Sequence, residues 1–368
     1  MNNEKKYALA FSYLCNFSFS LYKKLISNFT SLEKAFFAKK EDFLKAGFKE
    51  GTLLNFFQKR KDFSFTYYKN ELTSNDIKFC FISDSFYPKY LKNIYNPPPL
   101  FYYRGNLDIN WDQALSIVGS RKVSFYGERL VNEFVPVLSQ AGIISISGLA
   151  LGIDSLVHNK SLASSGQTVA VLGSGLDKRS IYPFSNRFLA EEIVRQGGLL
   201  ISEFPPGSKP LTYHFPQRNR IIAGLSLATV VLEAGIKSGS LITANYAIDE
   251  GRDVFSIPGD IFKENLAGNN QLLQKGAFLL LSPKDILSYF ALDGEKSPKE
   301  ALGASRPQYK PQNEEERLIL ELLRRGSAHI DEILSLDPQN VQKLSSSLSF
   351  LEINGVICNI GHKNYELI

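Results

Sequence analysis

ALSIVGSRKVSFYG, residues 114–127, opens with five uncharged residues and runs through Gly119 and Ser120 into two cations, Arg121 and Lys122. An apolar run of this length without polar alternation describes a strand buried on both faces, which is the habit of parallel sheets. The pattern recurs at IISIS (143–147), TVAVL (168–172), LLISE (199–203), TVVLE (229–233), VFSIP (254–258) and AFLLL (277–281), with helix-length segments between. From Ala114 to about Phe290 the chain therefore reads as an α/β fold, an open and mainly parallel sheet with helices on both faces.

Working outward, residues 1–75 show helical spacing of Phe, Leu and Tyr, so a small helical (SAM-like) domain is expected there. The apolar stretch from Tyr7 is preceded by Glu4 and followed by no small-residue cleavage site, which makes it a core-facing helix. A short strand at Phe79–Ile82, the helix-excluding run Asn96–Pro99 and a β segment at Leu100–Tyr103 lead into the sheet domain, expected over 76–290. Residues 291–313 are rich in Pro, Gly, Ser and charge and read as a linker. In 314–368, three helical patterns and a hairpin around Gly361 give the layout of a winged-helix domain. Arg324, Arg325 and Lys343 are too few for a recognition face there.

Bulk properties narrow the function less than the layout does. A net charge of +5 over 368 residues permits an anionic partner without requiring one. Three widely spaced cysteines, Cys15, Cys80 and Cys358, argue against a disulfide framework or a zinc site and for a reducing, cytoplasmic location. No apolar run has the length of a membrane span.

Ligands of an open parallel sheet gather beyond the carboxyl ends of its strands, so the strand exits carry the information. Of SIVGSRK, SISGLALGID, AVLGSGLDKR, ISEFPPGS and VLEAGIKSGS, four reach glycine within two residues. Glycine lets a backbone approach a ligand closely, and the following helix offers N–H groups to an anion. Cations stand beside these turns: Arg121 after Gly119-Ser120, Lys178 after the Gly173–Gly175 loop, and Lys237 before Ser238-Gly239-Ser240. Between Phe204 and Ser240 there are four basic residues, Lys209, Arg218, Arg220 and Lys237, against one acid, Glu233. Arg218, Asn219 and Arg220 stand near the start of a helix that Pro216 opens and whose Ile221, Ile222 and Leu225 face the core. Two arginines two positions apart cannot share a helix face, so one is expected to meet a phosphate and the other a strand-end carboxylate such as Glu203 or Glu233.

Catalytic signatures are missing. There is no GxxxxGK[ST] loop and no complete GxGxxG, so neither phosphate hydrolysis nor a dinucleotide cofactor is expected. Asp154 and His158 share a helix face, but a metal would need more ligands than these two; His158 reads as a hydrogen-bonded helix residue and Asp154 as a helix cap. A phosphate-binding edge without a nucleophile or base points to a polyanion, with Tyr182, Phe184 and Phe215 as loop aromatics available for base stacking.

The ordered blocks VGSR, ISGLALGID, AVLGSGLD, ISEFPPG, FPQRNRIIAGLS, EAGIKSGSLITA and GRDVFSIPG closely resemble the DNA-processing protein A family (DprA, also called Smf) over about residues 79–285. The resemblance implies a Rossmann-like, non-enzymatic protein without a cofactor. It implies a homodimer that binds incoming single-stranded DNA in natural transformation and loads RecA recombinase onto it. It places Gly119, Ser120 and Arg121, the Arg218–Arg220 block and Lys237–Ser240 on the DNA phosphates. Leu151 stands where the family usually has a basic residue. Two other readings are a nucleoside-monophosphate phosphoribohydrolase-like enzyme, whose PGGxGTxxE motif is replaced here by AGIKSGSLITA, and a transcription regulator acting through 314–368.

Overall fold

The computed structural model describes residues 3–292, 311, 313–323, 328–338, 340–354, 356–361 and 364–367. Met1–Glu295 forms one compact unit and Lys296–Ile368 a second.

In the first unit β3 (Ala114–Val118) is the axis of the sheet, and all five of its residues are buried. It pairs in parallel with β4 (Ile144–Ser147) on one side and β7 (Ala228–Val231) on the other. Beyond β4 lie β5 (Thr168–Val171) and β6 (Leu199–Ser202), and beyond β7 lie β8 (Asp253–Ser256) and β9 (Phe278–Leu279), all parallel. Side chains of β3 divide between two cores, which is why the strand carries no polar alternation. Leu115 and Ile117 pack with residues of α8 (Phe125–Gln140) and α9 (Ile153–Ala163), such as Phe134 and Val157. Ala114 and Val118 share the other core with Ile221 and Ile222 of α11 (His214–Leu225) and Ala244 of α12 (Ser240–Asp249).

Two antiparallel strands that periodicity did not place in the sheet extend it past β6: β1 (Lys78–Phe81) and β2 (Leu100–Gly105). Gly105, at φ +99°, ends β2 where a Cβ would stand 2.2 Å from the Gly198 carbonyl oxygen, so only glycine fits. The N-terminal helices, from α1 (Asn3–Leu14) to α6 (Phe65–Ser74), pack on this extension. Tyr7, Phe11, Phe36 and Phe56 join Phe81 and Phe101 in one core, and the Ser12 and Tyr102 hydroxyls hydrogen-bond at 2.8 Å. The helical segment thus differs from the sheet in secondary structure while belonging to the same compact unit.

The second unit contains helices Glu314–Leu323, Ile330–Leu334 and Val341–Ile353 and a small sheet of order β10 (Ala328–His329), β12 (Asn364–Leu367), β11 (Ile357–Gly361). Its core is built on Ile319, Leu323, Ile333, Leu344 and Leu351, with Tyr365 packed among them. Lys343 reaches Glu315 at 3.9 Å. Most of the expected linker, and Arg324 and Arg325, lie outside the described residues. Among the described residues no helix is long and apolar enough to cross a membrane.

Candidate nucleic-acid interface

The strand order places a topological switch between β3 and β7: from β3 the chain winds outward through β4, β5 and β6, then returns to β7 and winds the opposite way. Where the winding reverses, the loops at the carboxyl ends diverge and leave a crevice. That crevice is a cleft of about 1010 Å³. One wall is the β3 exit, Gly119, Ser120, Arg121 and Lys122; the other is the β7 exit, from Gly235 to Ser240. Arg121, Lys122 and Lys237 are exposed, so the two walls direct cations at one space. Ser240 and Thr243 also line it, which brings the positive end of the α12 dipole to the cleft.

Buried carboxylate and amide groups hold the walls in place. Glu233, fully buried at the end of β7, accepts hydrogen bonds from the Ser124 amide, from the Ser124 hydroxyl at 2.8 Å and from Asn265 Nδ2 at 3.0 Å. The Ser120 amide donates to the Glu233 carbonyl at 2.7 Å, and the Ile153 amide donates to the Ser120 carbonyl at 3.0 Å. Gly152, at φ +79°, permits this last approach, since a Cβ would lie 2.3 Å from the Ser120 oxygen. Asn269 Nδ2 donates to the Val231 carbonyl at 2.9 Å, while its Oδ1 accepts from the Ala234 amide at 2.6 Å.

The two arginines of α11 have separate partners. Arg220 Nη2 reaches Glu203 Oε2 at 2.6 Å, both side chains being about nine-tenths buried, and Arg220 does not line the cleft. Arg218 lies in the cleft floor, almost wholly buried, and its Nη1 donates to the Gly148 carbonyl at 2.6 Å and to the Val171 carbonyl. It thereby ties the exits of β4 and β5. Burial lowers its pKa to about 10, opposed by Asp154, so it stays charged at neutral pH. Asn219 Nδ2 donates to the Gly239 carbonyl at 3.2 Å and lines the cleft beside it.

Asp154 does not cap α9. The cap position is Gly152, and Asp154 Oδ2 instead accepts from the Gly148 amide at 3.1 Å, because α9 begins one residue before it. Burial raises the Asp154 pKa, and Arg218 opposes the rise. His158 is fully buried, its Nδ1 2.7 Å from the Thr168 hydroxyl; burial first and Arg218 second lower its pKa to about 3 from an ordinary 6.5. Among the described residues no cluster of three metal-ligating side chains occurs.

This buried histidine gives a stability prediction. Between pH 6.5 and 3 the unfolded chain binds a proton at this position that the folded chain refuses, so folding stability falls as pH drops through that window. The loss is about 1.4 kcal/mol per pH unit at most. In urea titrations at pH 7 and pH 5, His158→Gln is expected to lose less stability on acidification than the unsubstituted protein; an equal loss would assign the proton uptake elsewhere.

Of the stacking candidates, Phe215 lines the cleft, with the Arg121 guanidinium 5.5 Å from its ring centroid. Tyr182 and Phe184 lie outside the cleft lining, the Tyr182 ring 5.7 Å from Phe215 and 6.2 Å from Phe184. Arg187 covers Phe184 at 4.1 Å. Lys178 is exposed but also outside the lining, and its charge bears on Glu191. Lys122, the second cation of the β3 exit, also lines the cleft, as do Ile236, Glu264 and Asn265. Lys122 was signalled by its place beside Arg121, whereas residues 264 and 265 follow β8 with no motif to mark them.

A doubly wound sheet with a cationic cleft at its switch point defines a Rossmann-like protein. The chain belongs to the DNA recombination-mediator protein A family, whose model matches residues 78–291. It is 44% identical to the DNA processing protein DprA of Streptococcus pneumoniae over 57% of this chain and 73% of that one. Protein Smf of Synechocystis is 34% identical over 99% of both chains. Among solved structures, S. pneumoniae DNA processing protein A superimposes with a TM-score of 0.64 at 34% identity, over 78% of this chain and 98% of that one. DNA processing protein A of Helicobacter pylori, described for its single-stranded DNA binding mode, gives 0.51 at 26% identity, over 59% and 97%.

Proposed function

We propose that the switch-point cleft holds the backbone of single-stranded DNA and that the protein works without catalysis, presenting the strand to RecA recombinase during natural transformation. The carrying observation is the placement of Arg121 and Lys122 on one wall and of Lys237, with the α12 N-terminus that follows it, on the other. The binding mode named for the H. pylori relative supports the choice of single strands, and the family's description as a recombination mediator supports delivery to a recombinase. We assign the protein to the cytoplasm as a homodimer; a second copy is favoured by Leu279 and Leu281, exposed at the β9 edge of the sheet. We place the DNA phosphates along Gly119–Arg121, Arg218–Asn219 and Lys237–Ser240. Arg220 acts through Glu203, and Lys178, Tyr182 and Phe184 border the path. The phosphoribohydrolase reading is disfavoured because Glu233, the acid at the β7 exit, is buried and held by Ser124 and Asn265.

Competition between oligonucleotides tests this reading. Unlabelled single strand should displace a labelled single strand at about tenfold lower concentration than duplex, because only unpaired bases can stack. Affinity should fall with log salt at about 0.7 per phosphate contact. Equal displacement by duplex would overturn the assignment.

A further inference from the structure

Phe125, Tyr126, Ile261 and Phe262 are left in water beside the cationic cleft, with Phe125 86% and Phe262 88% exposed. They occupy the first turn of one helix and a neighbouring loop. Phe125 and Tyr126 open α8, separated by two residues from the cleft wall Gly119–Lys122, while Ile261 and Phe262 follow β8 and precede Glu264 and Asn265 of the cleft lining. The Tyr126 hydroxyl spans the two, donating to the Pro258 carbonyl at 3.5 Å. Between them lies a depression of about 370 Å³ lined by Tyr126, Pro258, Gly259, Asp260, Lys263 and Leu266. The segment 263–267 contributes to both hollows: Lys263 and Leu266 line the depression, and Glu264, Asn265 and Ala267 line the cleft.

The two hollows differ in chemistry. The cleft gathers cations from both walls. In the depression Lys263 is balanced by Asp260, whose Oδ1 already accepts from the Phe262 amide at 3.0 Å, and Tyr126, Pro258 and Leu266 supply ring and aliphatic carbon. A single strand of nucleic acid has the matching division: an anionic edge of phosphates and an apolar edge of flat bases that stack on aromatic side chains. Scattered apolar side chains are ordinary on a surface, but four on a helix start and the adjoining loop form a patch that calls for an occupant.

We infer that this apolar bank receives the bases of the strand whose phosphates lie in the cleft, so that the DNA path leaves the switch point on the β8 side. The inference rests on the cleft reading above and adds to it a location for bases and a direction for the strand. It also divides the work of binding: the cleft supplies the salt-dependent part and the bank the salt-independent part.

The experiment compares oligothymidylate with an abasic oligonucleotide of the same length, both binding to the full chain over a salt series followed by fluorescence anisotropy. The substitutions are Phe262→Ala and the double change Phe125→Ala with Phe262→Ala. Both side chains are exposed, and an unchanged thermal midpoint verifies the fold. The expected result is a loss of about 5- to 100-fold for oligothymidylate with an unaltered salt slope, and no loss for the abasic strand. Equal losses on both strands, or no loss on either, would overturn the inference. Normal binding of both strands together with altered self-association would overturn it too and give the patch to a second copy of the chain. The cleft reading fails separately: the unsubstituted protein would then bind neither oligonucleotide.

Discussion

Arg121→Glu combined with Lys237→Glu is expected to lower affinity for single-stranded DNA by about 100-fold or more at moderate salt, with no change in thermal midpoint. Both side chains are exposed on opposite cleft walls, so their loss removes two phosphate contacts and places two anions against the same polyanion. Each contact contributes about 0.7 to the log–log salt slope for a single strand, so the slope should flatten by about 1.4 for the pair. A salt titration measures both quantities at once. The fold should be indifferent because neither residue is in an ion pair of the described structure and neither belongs to the core. Unchanged affinity would move the DNA path away from the switch point, whatever else binds there.

Arg220→Ala should behave in the opposite way. Glu203 and Arg220 form a pair about nine-tenths removed from solvent, and removing the cation leaves the carboxylate buried without its counter-charge. Breaking such a pair costs about 3–5 kcal/mol, which a urea unfolding series at pH 8 would register directly. Burial already pushes the Glu203 carboxyl above the usual range, with Arg220 as the largest opposing influence. Without Arg220 the folded carboxyl takes up a proton more readily than the unfolded one, so the penalty should shrink as pH falls from 8 towards 5. Arg220→Ala combined with Glu203→Leu should recover much of the loss. The two arginine experiments therefore separate a surface cation that meets the ligand from a buried one that braces the strand ends. A stability loss below about 1 kcal/mol for Arg220→Ala would show that the pair is not sustained in solution.

This division could be read in part from the sequence. Two arginines two positions apart on a helix diverge by geometry alone, and Glu203 was one of two strand-end acids within reach; the 2.6 Å contact realises that expectation. The seven parallel strands were legible for the same kind of reason, since a strand buried on both faces has an uninterrupted apolar signature, here repeated at intervals of helix length. Long-range contacts were not legible. Arg218 spends Nη1 on the carbonyls of Gly148 and Val171, positions far from it in the chain, and no local spacing announces a guanidinium lying across two strand ends. The docking of the N-terminal helices depends on Ser12 meeting Tyr102, ninety positions away, so composition changed at residue 75 while the compact unit did not. Asp154 resembled a cap because helix starts are uncertain by a residue or two, and a shift of that size turned a capping role into a loop-tying one.

Glu233 has one more consequence. Because a single buried carboxylate fastens Ser124 on one side and Asn265 on another, the gap between the loops is set before any ligand arrives. The entropy of association then falls on the strand, whose sugar–phosphate torsions must settle, and not on the receptor. A receptor already in its bound shape needs no closing step between encounter and capture. Arrival of the strand is then limited by diffusion and by the attraction of the cleft's cations, and its residence time by how many of its own nucleotides have settled.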